Sequence, residues 1–303
     1  MLSFFSILIA AVQKIQYPTM SNSSVVRRYT KGLLLFAALV GGCSLINPLS
    51  AQGNLLVTPK RVVFEGNKRS ENLSIVNTGK DTARYAISFV QIRMKEDGSF
   101  ENITTPDSLQ YFADKNLRFF PRNIVLAPNE SQTVKVQCIK TNELADGEYR
   151  SHLYLRSLPA EQPLGEKEQV KDSTGIAVRI IPVFGISLPV IIRKGINDSE
   201  ADLANLSLQV QKDTMASVRL SLIRDGNMSI YGDISVDHVS PEGEVTRVGA
   251  MKGVAVYTPL QQRNISLQLN SKSGVNYRKG ALHIIYSYQA DRVEKLAQRQ
   301  INL

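Results

Sequence analysis

Alternation with a period of two, broken about every ten residues by turn residues, runs through this chain from Leu55 to its end. Successive side chains of a strand point to opposite faces, so such a pattern specifies half-buried β-strands. No apolar 3.6-residue period of helical length interrupts it. Short strands at regular spacing with turns between them indicate β-sandwiches. LLVTPKRVVFEG reads as two strand pieces around Pro59, and ARYAISFVQIRMKEDGSF alternates Tyr85, Ile87 and Phe89 before a hairpin turn at Asp97-Gly98. After Lys194 the polar stretch GINDSEADLANL reads as a joint, and seven more strand-like runs follow, from LSLQVQ to KLAQRQINL. The expected organisation is a targeting segment over 1–51, a sandwich over 52–194 and a second over 195–303.

One stretch departs from the ordinary. In GIAVRIIPVFGISLPVIIRKG every second residue from Ile176 to Ile192 is apolar, which gives a strand far longer than the usual five or six residues. Two prolines, Pro182 and Pro189, sit within it, and proline belongs on edge strands because it donates no ladder bond. A long apolar edge invites pairing with another chain. The two prolines have opposite parity, so an irregularity such as a bulge is expected near Gly185. The segment just before, AEQPLGEKEQVKDST, is polar and without periodicity, a loop that lets the following strand reach outward.

Composition narrows the function classes. The net charge is +9, but four of those charges are Lys14, Arg27, Arg28 and Lys31, in a segment without acids. No Lys/Arg run interleaved with aromatics follows, so nucleic acid is not an expected partner. SNSSVVRRYTKG followed by LLLFAALVGG resembles the basic and apolar regions of an export signal, with a small-residue cleavage site after Ala51. Met20 lies just ahead of that basic region, which makes residues 1–19 an unused upstream start. The apolar run is about half the ~20 residues a membrane span needs. Two processing outcomes stay open: cleavage after Ala51, and acylation at Cys43, which follows the apolar run in VGGC. With cleavage at Ala51 the exported chain keeps one cysteine, Cys138, on the core face with Val134 and Val136.

The three histidines, His152, His238 and His283, fall in separate strands, and no HExxH, CxxC, GxSxG or phosphate-cradling glycine loop occurs. Catalysis, a metal, a cofactor and a small-molecule substrate are therefore not expected.

The ordered series TPKRVVFEG, LSIVNTG, FFPRNIVLAPNESQTVKV, DGEYRSHLYLRSLP and GISLPVIIRKG, then RDGNMSIYGDISV and VAVYTPLQQRNISLQL, resembles the periplasmic pilus chaperones of the chaperone–usher pathway (PapD-like), their archaic branch most of all. The resemblance covers nearly the whole chain after residue 51. It implies an all-β fold of two immunoglobulin-like β-sandwich domains in an L-shaped arrangement. It implies a periplasmic protein that lends its seventh strand to pilin subunits and delivers them to an outer-membrane usher. On that resemblance Val178, Ile180, Pro182 and Phe184 form the donor face, while Ile186 to Ile192 belong to the domain's own core. Arg61 matches the arginine that grips the client's C-terminal carboxylate. The family's accompanying lysine corresponds to Pro189 here, so Lys194, Arg150 or Lys60 is left to replace it. Glu148, Arg193 and Asp291 match an interdomain ion network. The resemblance also implies capping of the idle edge by self-association. The alternative from another class is an exported immunoglobulin-like structural or adhesive surface protein, lipidated at Cys43.

Overall fold

The computed structural model describes residues 55–159, 183–211, 215–270, 275–289 and 293–303. Its main compact unit spans Gly53–Leu303. Among the described residues there is no α-helix, and no helix long and apolar enough to cross a membrane.

Eleven strands precede the second sandwich among the described residues: β1 (Leu55–Thr58), β2 (Val62–Phe64), β3 (Ser70–Asn77), β4 (Ala83–Val90), β5 (Ile92–Met94), β6 (Phe100–Asn102), β7 (Leu117–Phe120), β8 (Asn123–Leu126), β9 (Ser131–Cys138), β10 (Gly147–Leu158) and β11 (Gly185–Lys194), nine of which build the first sandwich. One sheet has the order β1-β3-β9-β7 and the other β2-β11-β10-β4-β8, with β5-β6 as a separate hairpin. The chain passes from the first sheet to the second at Thr58-Pro59, so the two strand pieces read around Pro59 belong to different sheets. Inward residues of both sheets, among them Phe64, Leu73, Ile75, Val134, Val136, Leu153 and Leu155, form the core. Cys138 joins them as a small apolar side chain, as its alternation indicated. The hairpin expected at Asp97-Gly98 joins β5 to β6, with Gly98 at φ +80°, a left-handed conformation that glycine adopts without strain.

The second sandwich contains β12 (Glu200–Gln211), β13 (Met215–Asp225), β14 (Ile230–Val239), β15 (Val245–Val256), β16 (Gln262–Leu269), β17 (Ala281–Gln289) and β18 (Val293–Asn302). These are the seven runs read from the sequence. They form sheets β12-β13-β16 and β15-β14-β17-β18 around a separate core that includes Leu203, Leu222, Val236, Ile284 and Tyr286. A third, small apolar cluster of Met94, Ile191, Ala255 and Tyr257 binds the two sandwiches together.

Turn chemistry fixes the end of β3. The Asn77 side chain is buried; its Nδ2 donates to the carbonyls of Asp81 (2.8 Å), Leu126 (3.0 Å) and Ala127 (3.2 Å). Its Oδ1 accepts from the Gly79 amide at 2.9 Å, an Asx turn. Asn77→Ala leaves those groups without partners and is expected to lower stability by about 2–3 kcal/mol, read as a reduced urea midpoint with unchanged slope.

Candidate functional site

The long strand read from the sequence is described from Val183 onward; Val178, Ile180 and Pro182 lie outside the described residues. From Gly185 the register of β11 against β10 is unbroken, Arg156↔Gly185 through Gly147↔Lys194. No bulge falls within this ladder, and parity explains how it accommodates Pro189. The Ser157 amide donates to the Phe184 carbonyl at 2.8 Å, so even-numbered residues of β11 turn their backbone groups toward β10. Odd-numbered residues turn theirs outward. Pro189 thus lacks its N–H on the outer edge, where no β10 partner is lost.

That outer edge is only partly covered. β2 runs parallel to β11 and pairs with it at Val190↔Val62, Ile191↔Val63 and Ile192↔Phe64. Between Gly185 and Pro189 no strand pairs with β11 on that side among the described residues. Even-numbered side chains Leu188, Val190 and Ile192 are buried in the first core, with Ile186 packed against it, as expected for this face. Ahead of the strand burial ends on both faces: Val183 is 51% exposed and Phe184 42%. The Tyr154 ring fills the space that a Cβ on Gly185 would need.

Arg61 immediately precedes β2, and alternation places it on the face opposite Val62 and Phe64, both buried. Its guanidinium carbon lies 4.6 Å from the ring centre of Tyr231 and 5.7 Å from that of Tyr257. Stacking on aromatic faces suits arginine and leaves its in-plane donors free to bind. Arg61 Nη1 is buried without a hydrogen-bond partner among the described residues. Beside it lies a cleft of about 700 Å³ whose walls include Lys60, Arg61, Lys68, Arg193, Tyr231 and Tyr288.

On β10 the alternate residues Glu148, Arg150 and His152 face the same way, and all three are buried. Glu148 is the centre of this group. Its Oε2 accepts from the Ser229 amide (3.0 Å) and from Arg193 Nε (3.2 Å), while its Oε1 accepts from the Ser229 hydroxyl. Arg193 Nη2 donates to the Ser229 carbonyl at 2.6 Å. The Thr258 amide donates to Ser229 Oγ (3.1 Å), and Arg150 Nη2 to the Thr258 carbonyl (3.0 Å). Arg224 shapes the two turns that carry Ser229 and Thr258, donating to the carbonyls of Leu260 (2.7 Å), Gly226 (2.6 Å) and Met228 (3.2 Å).

Glu148 and Arg193, expected as an ion pair at the joint, are thus brought together, as cross-strand neighbours of β10 and β11. Asp291 lies outside the described residues, and the groups from the second sandwich that Glu148 meets are the amide and hydroxyl of Ser229. Reasoning from sequence passed over Ser229, Tyr231 and Tyr257, and weighed His152 only as a catalytic candidate. A serine amide and two tyrosines carry no ion-pair signal.

Burial dominates the electrostatics. Desolvation pushes the pKa of His152 from 6.5 down to about 3, with the Arg150 and Arg61 charges acting in the same direction. Burial also lowers the pKa of Arg150, and Glu148 opposes it. Among the described residues no group of three or more His, Cys, Asp or Glu side chains is placed to hold a metal ion.

No protein-family model matches the chain, and no curated protein does. Solved structures similar to it include fimbrial chaperones. The YadV chaperone is 12% identical, with 82% of this chain and 100% of that one covered and a TM-score of 0.38. The class 5 fimbriae chaperone CfaA is 13% identical over 82% and 98% of the two chains, with a TM-score of 0.36. A complex of the Salmonella enterica SafA pilin with the SafB chaperone gives 13% identity over 83% and 97%, with a TM-score of 0.36.

Proposed function

We propose that this chain is a periplasmic chaperone that holds pilin subunits by lending them the strand segment leading into β11 and passes them to an outer-membrane usher. The observation that carries the reading is the half-covered edge of β11: strapped by β2 from Val190 onward and, among the described residues, unpaired from Gly185 to Pro189. A client strand added there in parallel shares an edge with β2 and ends where Arg61 begins. Main-chain bonds along the open stretch supply affinity, and alternate apolar side chains from Val178 to Phe184 fill the client's groove. Arg61, half-buried and stacked on Tyr231, takes the client's terminal carboxylate. Residues 1–51 supply the export signal, removed after Ala51. Without a client the apolar edge pairs with a second copy of the chain, which answers the aggregation hazard such an edge carries.

The test is co-expression with pilin subunits encoded in the same genome and recovery of a one-to-one complex by size exclusion. Ile180→Asp is expected to abolish the complex while the circular dichroism of the chaperone stays unchanged, and Arg61→Ala to weaken it at least tenfold. Loss with a charge at Ile181 or Val183 instead of Ile180 keeps strand lending and moves its register by one. If the wild type holds no pilin, the reading fails and an exported surface protein, with Cys43 as its acylation site, takes its place.

A further inference from the structure

A second cavity, of about 240 Å³, lies between the two sandwiches and shares no lining residue with the cleft beside Arg61. Its walls include Met94, Phe100, His152, Pro189, Tyr257 and Arg263. An apolar cavity of about 150 Å³ is enough to hold benzene, so this one has room for a substituted ring. Two of its side chains bring unengaged polar atoms. His152 is 3% exposed, and no described residue hydrogen-bonds its ring nitrogens; the ring meets those of Phe100 and Tyr257 instead, each at 6.1 Å between centres. Burial keeps the imidazole neutral at ordinary pH, so one of its nitrogens is an acceptor. Arg263 Nε is buried without a hydrogen-bond partner among the described residues, while its Nη1 donates to the Ala255 carbonyl at 3.0 Å. The β5–β6 turn covers this guanidinium: a Cβ on Gly98 would stand 2.5 Å from Nε, 2.5 Å from Nη2 and 2.7 Å from Cζ. Distances so nearly equal place the turn over the flat face of the group, which leaves the in-plane Nε–H to bind.

We propose that this cavity is a binding site for a phenol, whose hydroxyl accepts from Arg263 Nε and donates to His152 while its ring lies among Met94, Phe100 and Tyr257. A hydroxyl is donor and acceptor at once, so one oxygen answers both groups. A plain aromatic ring answers neither, and an indole N–H gives the arginine no acceptor. A carboxylate loses far more hydration on entering. Burial lowers the pKa of Arg263 and the Asp97 charge opposes that, so a counter-charge is already at hand. Pro189 belongs to the stretch of β11 that is unpaired on its outer side among the described residues. A strand laid there turns alternate side chains to the cavity's side of the sheet. The phenol therefore has two sources, a free molecule or a tyrosine side chain on such a strand. The second source rests on the chaperone reading; the cavity's chemistry does not.

The probes are 4-fluorophenol and fluorobenzene, each titrated with the exported chain at pH 7.5 and read by 19F NMR. The phenol is expected to bind at least about tenfold more tightly, the worth of a single good hydrogen bond. It should also shift the Arg263 Nε–H resonance of the 15N-labelled chain, which fluorobenzene should leave in place. Arg263→Met and His152→Phe are each expected to remove the preference and to keep fluorobenzene within about twofold, because a site built around a hydroxyl discriminates through its polar groups. If neither variant folds, the wild-type preference and the Arg263 shift decide. Equal affinities, no saturable binding, an unmoved Arg263 signal, or 4-fluorobenzoate bound more tightly than the phenol overturns the proposal. Pilin recovery in excess 4-fluorophenol separates the sources: a loss assigns the cavity to a client's tyrosine, and unchanged recovery to a free phenol. Phenol bound with no pilin held keeps the site and removes the chaperone. Pilin held with no phenol bound removes the site and keeps the chaperone.

Discussion

Replacing Glu148 with alanine is expected to lower the stability of the exported chain by about 3–5 kcal/mol, the range for removing one partner from a buried ion pair. Such a loss is a large part of the 5–15 kcal/mol that holds a typical domain folded. The Glu148 side chain is wholly buried and serves as the sole carboxylate that Arg193 and Arg150 meet among the described residues. Its removal leaves both guanidinium groups without a counter-charge and strands the amide and hydroxyl of Ser229. Glu148→Gln keeps the volume and one acceptor and is expected to fall between. A double-mutant cycle with Ser229→Ala, read by urea denaturation, should show a coupling of at least about 1 kcal/mol, because the two residues share their bonds. Additive effects would mean that the carboxylate stabilises only the first sandwich and not the joint.

Acid should destabilise the protein through His152. Its folded-state pKa of about 3 lies below the ordinary 6.5. Between those values the unfolded chain holds one more proton than the folded one, so stability falls as the pH drops from 6.5 toward 3. Above 6.5 both states are neutral at this residue and the contribution is complete. The slope is at most about 1.4 kcal/mol per pH unit. Carboxylates add their own acid dependence, so the measurement is a difference: urea midpoints of the wild type and of His152→Gln at pH 7.5 and 4.5. The wild type should lose about 2–3 kcal/mol more than the variant over that interval. Parallel losses would show that the imidazole reaches water in the folded state.

Alternation made the strands legible because each face of a sandwich sheet is dry or wet along its whole length. Val134, Val136 and Cys138 followed that rule, and so did Leu188, Val190 and Ile192. The rule misleads where a wet-looking face is covered by another sandwich. Glu148, Arg150 and His152 alternate as an exposed face does, yet the second sandwich covers them. Nothing local marks that, since the covering groups, Ser229 and Tyr257, lie more than seventy positions away in the chain. Arg193 was expected beside Glu148 only on the resemblance, and the structure sets the two opposite charges at facing ends of adjacent strands. The bulge inferred from the two prolines does not fall within the ladder from Gly185 to Lys194, because Pro189 turns its missing N–H away from β10; Pro182 lies outside the described residues.

The strap that β2 lays over the last part of β11 turns the open edge into a ruler with a fixed zero. Whatever lies along that edge abuts Val62, opposite Val190, and is measured from there. A partner strand one residue longer at its end would be pushed back by one position, and every side chain it presents would change face. Selection among partners can then act on length as much as on composition. On the proposed strand lending, a client with a single added terminal residue is expected to bind more weakly than its shorter form, a difference that a pull-down with the two client lengths reads directly.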